Sequence, residues 1–260
     1  MAVAKKVEKK MKERLNCVMD IGEQMLLSGA EVHRVEDSVN RMCTALGASR
    51  VDCFIITSSM VVTVHGENGG VQTETRRIRS AGTDFHKLDR LNDLSRRVCN
   101  EGLDIDAIRQ ELALIRQGKA YPFFVECFVY AVIAAAFTVF FGGGPLESLL
   151  AALMGLVVRL AVFLSDKFIG NAIFAKFFSS FSITALAHLF ALSGAVSTPD
   201  QMIIGNIMLI IPGLGFTNAL RDLFVGDSIA GTLRLLEAAL AAVSIAAGYF
   251  AFIFLAGGVL

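Results

Sequence analysis

Between Phe123 and Leu260 the sequence holds five long apolar stretches, which set the class of fold before anything else is read. They are residues 123–141, whose one charge is Glu126; 146–164, with Glu147 and Arg159; 172–192, with Lys176 and His188; 202–220, interrupted by Pro212-Gly213; and 238–260, with no charge. About 20 residues rising 1.5 Å each cross a hydrocarbon core about 30 Å thick, so each stretch is long enough to span a membrane. The charges are partitioned to match, with 19 Lys+Arg and 17 Asp+Glu in residues 1–120 against 5 and 7 in residues 121–260. A formal net charge of zero therefore conceals a polar front and an apolar remainder. That partition excludes a single soluble domain, an intrinsically disordered chain and a nucleic-acid binder recognised by net basicity.

The polar front reads as a small α+β domain over residues 1–120. Met11, Leu15, Val18 and Met25 recur at helical spacing between Lys5 and Leu27, and Ser28-Gly29 ends that helix. A second helix is expected over Ala30–Leu46, with Val32, Val35, Val39, Met42 and Leu46 on one side. β-Branched residues then dominate Val51–Thr57, Met60–His65 and Val71–Ile78, with Gly66–Gly70 as a turn. Helices over 86–100 and 104–117 complete an expected order ααβββαα. The fold class that follows is an α-helical membrane protein: a cytoplasmic ααβββαα domain, then a five-helix transmembrane domain over residues 121–260. The first ten residues carry lysines but no apolar core after them, so they do not read as a secretory signal. Cys17, Cys43, Cys53, Cys99 and Cys127 form no CxxC pair, and they read as small hydrophobes in a reducing compartment.

Basic residues give the orientation. Arg159, Lys167 and Lys176 surround the second connection between spans, and Arg221 and Arg234 the fourth. The first connection (142–145), the third (193–200) and the C-terminus have none. The positive-inside rule then predicts a multi-pass protein with a cytoplasmic N-terminus and an outer C-terminus.

Pro212 lacks an N–H and Gly213 does not resist a bend, so the fourth span is expected to break there. The ten residues from Met202 to Ile211 rise about 15 Å, which puts the break near mid-membrane. Discontinuous helices at that depth hold substrate in secondary transporters, and the positive end of the second half-helix suits a carboxylate. Asn206, Pro212, Gly213, Thr217, Asn218 and Arg221 are the expected substrate-binding set. A packing kink is the simpler alternative. Asp222, Asp227, Arg234, Glu237, Glu126 and Arg159 are candidates for proton coupling or gating, although charges near span ends can also snorkel to water. His188 sits near the outer end of its span, where an interfacial role competes with a proton relay. In the polar front, Glu31, His33, Arg34, Glu36 and Asp37 crowd the start of the second helix. Acidic residues there suit the helix dipole. No HExxH, GxSxG or Walker pattern accompanies them, so no enzyme, metal or cofactor is expected.

Two stretches carry a family resemblance: Leu27-Ser-Gly-Ala-Glu-Val-His-Arg-Val-Glu-Asp37, and Pro212-Gly-Leu-Gly-Phe-Thr-Asn-Ala-Leu-Arg-Asp-Leu-Phe-Val-Gly-Asp-Ser-Ile-Ala-Gly-Thr-Leu-Arg-Leu-Leu-Glu-Ala238. They resemble the threonine/serine exporter family, and the order of parts looks like the larger component of its split form. The resemblance covers essentially the whole chain. It implies proton-coupled export, across a bacterial inner membrane, of threonine and serine or of a succinate-type dicarboxylate. It also implies a small, mostly apolar membrane subunit encoded separately, with homo-oligomerisation left open. Glu31, Arg34 and Glu36 lie in the first stretch, and Thr217, Asn218, Arg221, Asp222, Asp227, Arg234 and Glu237 in the second. The expected partners are thus a small-molecule substrate, membrane lipid and that subunit, with no nucleic acid. A membrane-anchored regulatory or assembly subunit is the alternative, and a membrane hydrolase built on residues 31–37 a third.

Overall fold

Leu15, Val18 and Met25 recur at helical spacing because they share the buried face of α1 (Ala2–Leu27). Gly29 ends the helix at φ +90°, letting Ala30 N donate to the Met25 carbonyl at 3.0 Å. α2 (Val32–Ala45) then buries Val32, Val35, Val39 and Met42. β1 (Ala48–Ile56), β2 (Ser59–Gly66) and β3 (Val71–Arg77) form an antiparallel sheet in the order β1-β2-β3, with Ile56 opposite Ser59 and Ser59 opposite Arg77. Alternation along β2 puts Met60, Val62 and Val64 into the core. α3 (Phe85–Glu101) and α4 (Ile105–Arg116) close that core with Leu91, Leu94, Val98, Ile108, Leu112 and Ile115.

The computed structural model describes residues 2–67, 69–79, 82–118, 121–168 and 170–257. It divides into two units, Met1–Lys119 with Thr217–Arg234, and Ala120–Phe216 with Leu235–Leu260. The first unit therefore takes in a segment that follows most of the apolar stretches. Ala230, with no exposed surface, belongs to the same core as α1 and α2.

The second unit contains α5 (Phe123–Phe140), α6 (Pro145–Phe168), α7 (Ala172–Leu192) and α8 (Asp200–Ile207). It also contains the first turn of α9 (Gly213–Val225) and α10 (Ser228–Ala256) from Leu235 onward. Among the described residues, α5, Pro145–Ser165 of α6, α7 and α10 are the four helices long and apolar enough to cross a membrane. The fourth stretch, 202–220, expected to break at Pro212-Gly213, is α8, a break at 208–212, and α9. Leu209 N and Ile210 N bond back to Asn206 O and Ile207 O, a tightening that ends α8, and Pro212 cannot extend the ladder. α10 begins ten residues ahead of the expected 238, while 258–260 of that span lie outside the described residues.

Lipid supplies no hydrophobic drive between helices, so small residues and hydroxyls pack this unit. Ser180 Oγ donates to Ile245 O at 2.7 Å, and Ser244 Oγ to Ile173 O at 2.6 Å. Gly205 leaves no room for a Cβ, which would stand 2.8 Å from Thr138 N, and a Cβ on Gly248 would stand 3.0 Å from Ser180 Cβ. Gly205→Val is therefore expected to destabilise the protein by about 3 kcal/mol, since backbone rather than a flexible side chain blocks the space. Thermal unfolding of the purified protein in detergent checks this, and an unchanged midpoint would mean that α5 and α8 do not pack this closely.

Candidate functional site

In the first unit the start of α2 meets residues 221–234. Glu31 is the N-cap of α2 in extended backbone (φ −66°, ψ 140°), but its side chain makes no cap bond. It accepts instead from Arg221 Nη1 at 2.8 Å, and Arg34 Nε lies 3.5 Å from its other oxygen. Asp222 follows Arg221 on α9 and has no exposed surface. Its Oδ2 pairs with Arg234 Nη1 at 3.4 Å, yet neither carboxylate oxygen has a hydrogen-bond partner, nor does the buried Oδ2 of Asp227. Arg234 is itself only 12% exposed, and its Nη2 donates to the Ala30 carbonyl at 2.6 Å. Glu36, one turn into α2, accepts from the Ile55 amide at 2.8 Å.

Burial sets the electrostatics of this cluster. It holds the Asp222 carboxyl above its ordinary range; Arg234 opposes the shift, and Asp227 and Glu31 add to it. Glu36 is also raised by burial, against its bond from Ile55 and with Asp227 reinforcing. Four carboxylates and three guanidiniums so arranged can take up or release a proton and exchange partners as they do. Among the described residues no group of three or more His, Cys, Asp or Glu is placed to hold a metal ion.

In the second unit, chemistry gathers at the break after α8. Lys176 of α7 donates through Nζ to the Ile210 carbonyl at 2.6 Å, satisfying a backbone acceptor that the interrupted helix leaves over. Asn206, with no exposed surface, donates through Nδ2 to Met202 O at 3.0 Å and Ala151 O at 3.3 Å, while its buried Oδ1 has no hydrogen-bond partner. One cation, a buried amide oxygen and the first turn of α9 thus belong to the chain around this break. Elsewhere Arg159 Nε donates to Glu126 Oε2 at 2.9 Å, clamping α6 to α5, with the guanidinium 5.0 Å from the Phe123 ring centre.

A family model described as "Putative threonine/serine exporter" matches residues 16–256. The chain belongs to the threonine/serine exporter family. The "Threonine/serine exporter" of Corynebacterium glutamicum is 24% identical over 245 residues, which are 90% of this chain and 49% of that protein. The "Probable threonine/serine exporter" of Mycobacterium tuberculosis is 23% identical, over 86% of this chain and 42% of that protein. The "Probable succinate transporter subunit YjjP" of Escherichia coli is 23% identical, over 81% of this chain and 82% of its own length. The chain thus spans about half the length of the two threonine/serine exporters. No solved structure matches it. Membership of this family and four long apolar helices make it a multi-pass membrane protein.

The two stretches that resemble the threonine/serine exporters are the ones that build the cluster of the first unit. Glu31, Arg34, Arg221, Asp222 and Arg234 are joined there by the contacts above, with Asp227 and His33 acting electrostatically on both Asp222 and Glu36. The expected substrate-binding set is divided. Asn206, Pro212 and Gly213 belong to the second unit, whereas Thr217, Asn218 and Arg221 belong to the first. Glu126 and Arg159 satisfy each other, and Glu237 is an exposed residue of α10. His188 approaches the Thr184 carbonyl through Nδ1 at 2.9 Å and lies beside the Phe252 ring. Lys176 escaped the sequence reading because a lysine four residues into a helix looks like one that snorkels; its bond to Ile210 exists only once the chain has folded.

Proposed function

We propose that this chain is a subunit of a secondary exporter that moves small carboxylate-bearing metabolites, threonine and serine or a succinate-type dicarboxylate, out of a bacterial cytoplasm. The observation that carries this reading is the Lys176 ammonium at the Pro212-Gly213 break. A cation beside a helix start within an apolar unit suits a metabolite carboxylate, with Asn206 as a neutral partner. Arg221, held on Glu31, takes no first role in binding here. The Glu31–Arg234 cluster carries the coupling proton, with Asp222 as its acceptor and Arg234 changing partners as Asp222 is neutralised. The basic residues beside the second and fourth connections support a cytoplasmic first unit. The word "subunit" in the name of the Escherichia coli relative, 82% of whose length is covered, supports a separately encoded membrane partner.

Efflux from cells preloaded with a threonine-containing dipeptide or with labelled succinate tests this. The chain is produced alone and with the small membrane protein of the neighbouring gene. Efflux at least several-fold faster than in cells lacking both is the expected result for the pair, and the solute that moves names the substrate. Unchanged efflux of both solutes, with both proteins in the membrane, would overturn the reading in favour of a regulatory subunit.

A further inference from the structure

At the end of α2 remote from Glu31, about 20 Å along the helix, the first unit has a cleft of about 530 Å³ that the transport reading leaves unused. Protein interiors hold few voids larger than a water molecule, and small-molecule pockets run to about 300–1,000 Å³. Its floor is apolar, formed by Met11, Leu15 and Val18 of α1, Cys43 of α2 and Val64 of β2, the last four of which also belong to the core. Its rim is charged and evenly mixed: Glu8 and Glu67 against Lys10 and Arg14. Two of these are tethered, Arg14 through Nη1 to the Leu46 carbonyl and Glu8 by Gln72 Nε2 at 3.1 Å.

We propose that this cleft binds a small zwitterion with an apolar side chain, an α-amino acid of the branched aliphatic or aromatic class. Arg14 and Lys10 take its carboxylate, Glu8 and Glu67 its ammonium, and the floor its side chain. A fatty acid would leave the two carboxylates of the rim facing its own, and an alkyl amine would leave the two cations unmet. A phosphorylated ligand meets two repelling acids. A hydroxylated amino acid of the threonine type would press its hydroxyl on a floor that offers it no partner. The site stands apart from the export reading and holds or fails without it.

Calorimetric titration of the full chain in detergent tests this, with leucine and phenylalanine, 4-methylpentanoate (leucine without its amine), 3-methylbutylamine (without its carboxylate) and threonine. Leucine or phenylalanine is expected to bind, with each one-charge analogue and threonine at least tenfold weaker. Arg14→Gln should weaken binding at least tenfold. Ala48→Phe, which fills the cleft from β1 without deleting core atoms, should abolish binding while the unfolding midpoint holds or rises. Absence of binding by both amino acids, equal binding of either analogue, or full affinity in Ala48→Phe would each overturn the proposal.

Discussion

Arg234→Ala is expected to destabilise the first unit by about 3–5 kcal/mol, because it leaves Asp222 as a buried charge without its cation. The pair is unusually dependent on that one contact. Asp222 has no exposed surface and no hydrogen bond to either oxygen, so its desolvation is offset chiefly by Arg234 at 3.4 Å, with a smaller contribution from His33. The substitution also removes the bond to the Ala30 carbonyl, which ties the start of α10 to the residue before α2. Hydrogen exchange in α2 and thermal unfolding in detergent measure the loss. Replacing both partners, Asp222→Leu with Arg234→Met, should restore most of the stability, since two apolar groups no longer need each other. The same double variant should not restore efflux. If it exports normally, the cluster is structural and the coupling proton lies elsewhere. pH gives a second readout with a defined sign. Asp222 is held above its ordinary range, so between its unfolded and folded values the folded protein carries a proton that the unfolded chain has released. Stability therefore falls as pH rises through that window. Glu36 contributes with the same sign, so Asp222→Asn should reduce the slope rather than remove it.

What the sequence made legible depended on how local the cause was. The faces of α1 and α2, the stop at Gly29 and the alternation in β2 are set within a few residues, and hydropathy alone marks α5, α6 and α7. The break at Pro212-Gly213 was equally local: it divides the stretch into α8 and α9, neither long enough to cross by itself. Long-range pairings were out of reach. Nothing in residues 217–234 announces that Ala230 packs in the core of a domain near the N-terminus, or that Arg221 finds Glu31 190 positions away. Asp222 was a coupling or gating candidate only by its place near the end of a span beside Arg221; the helical turn separates the two and sends only Asp222 inward.

Lys176→Met is expected to abolish measurable efflux while leaving the protein in the membrane. The two side chains are similar in length, and methionine is cheaper to insert in lipid than a lysine, so lost insertion would not explain lost transport. What disappears is a charge-assisted hydrogen bond to the metabolite carboxylate, about 1.5–3 kcal/mol, or roughly 10- to 150-fold in affinity. The Ile210 carbonyl also loses its donor, but a carbonyl at an existing helix break tolerates this better than one inside a ladder, and the unfolding midpoint should move by less than about 2 kcal/mol. Substrate concentration separates the two roles. If Lys176 binds the carboxylate, Lys176→Arg, which keeps the cation, should retain part of the efflux, and raising the internal solute should partly rescue Lys176→Met. If Lys176 only caps Ile210, both variants should follow their stability and ignore solute concentration. Normal efflux in Lys176→Met would remove the carboxylate from the break and return it to Arg221, whose release from Glu31 would then be the step that opens the site.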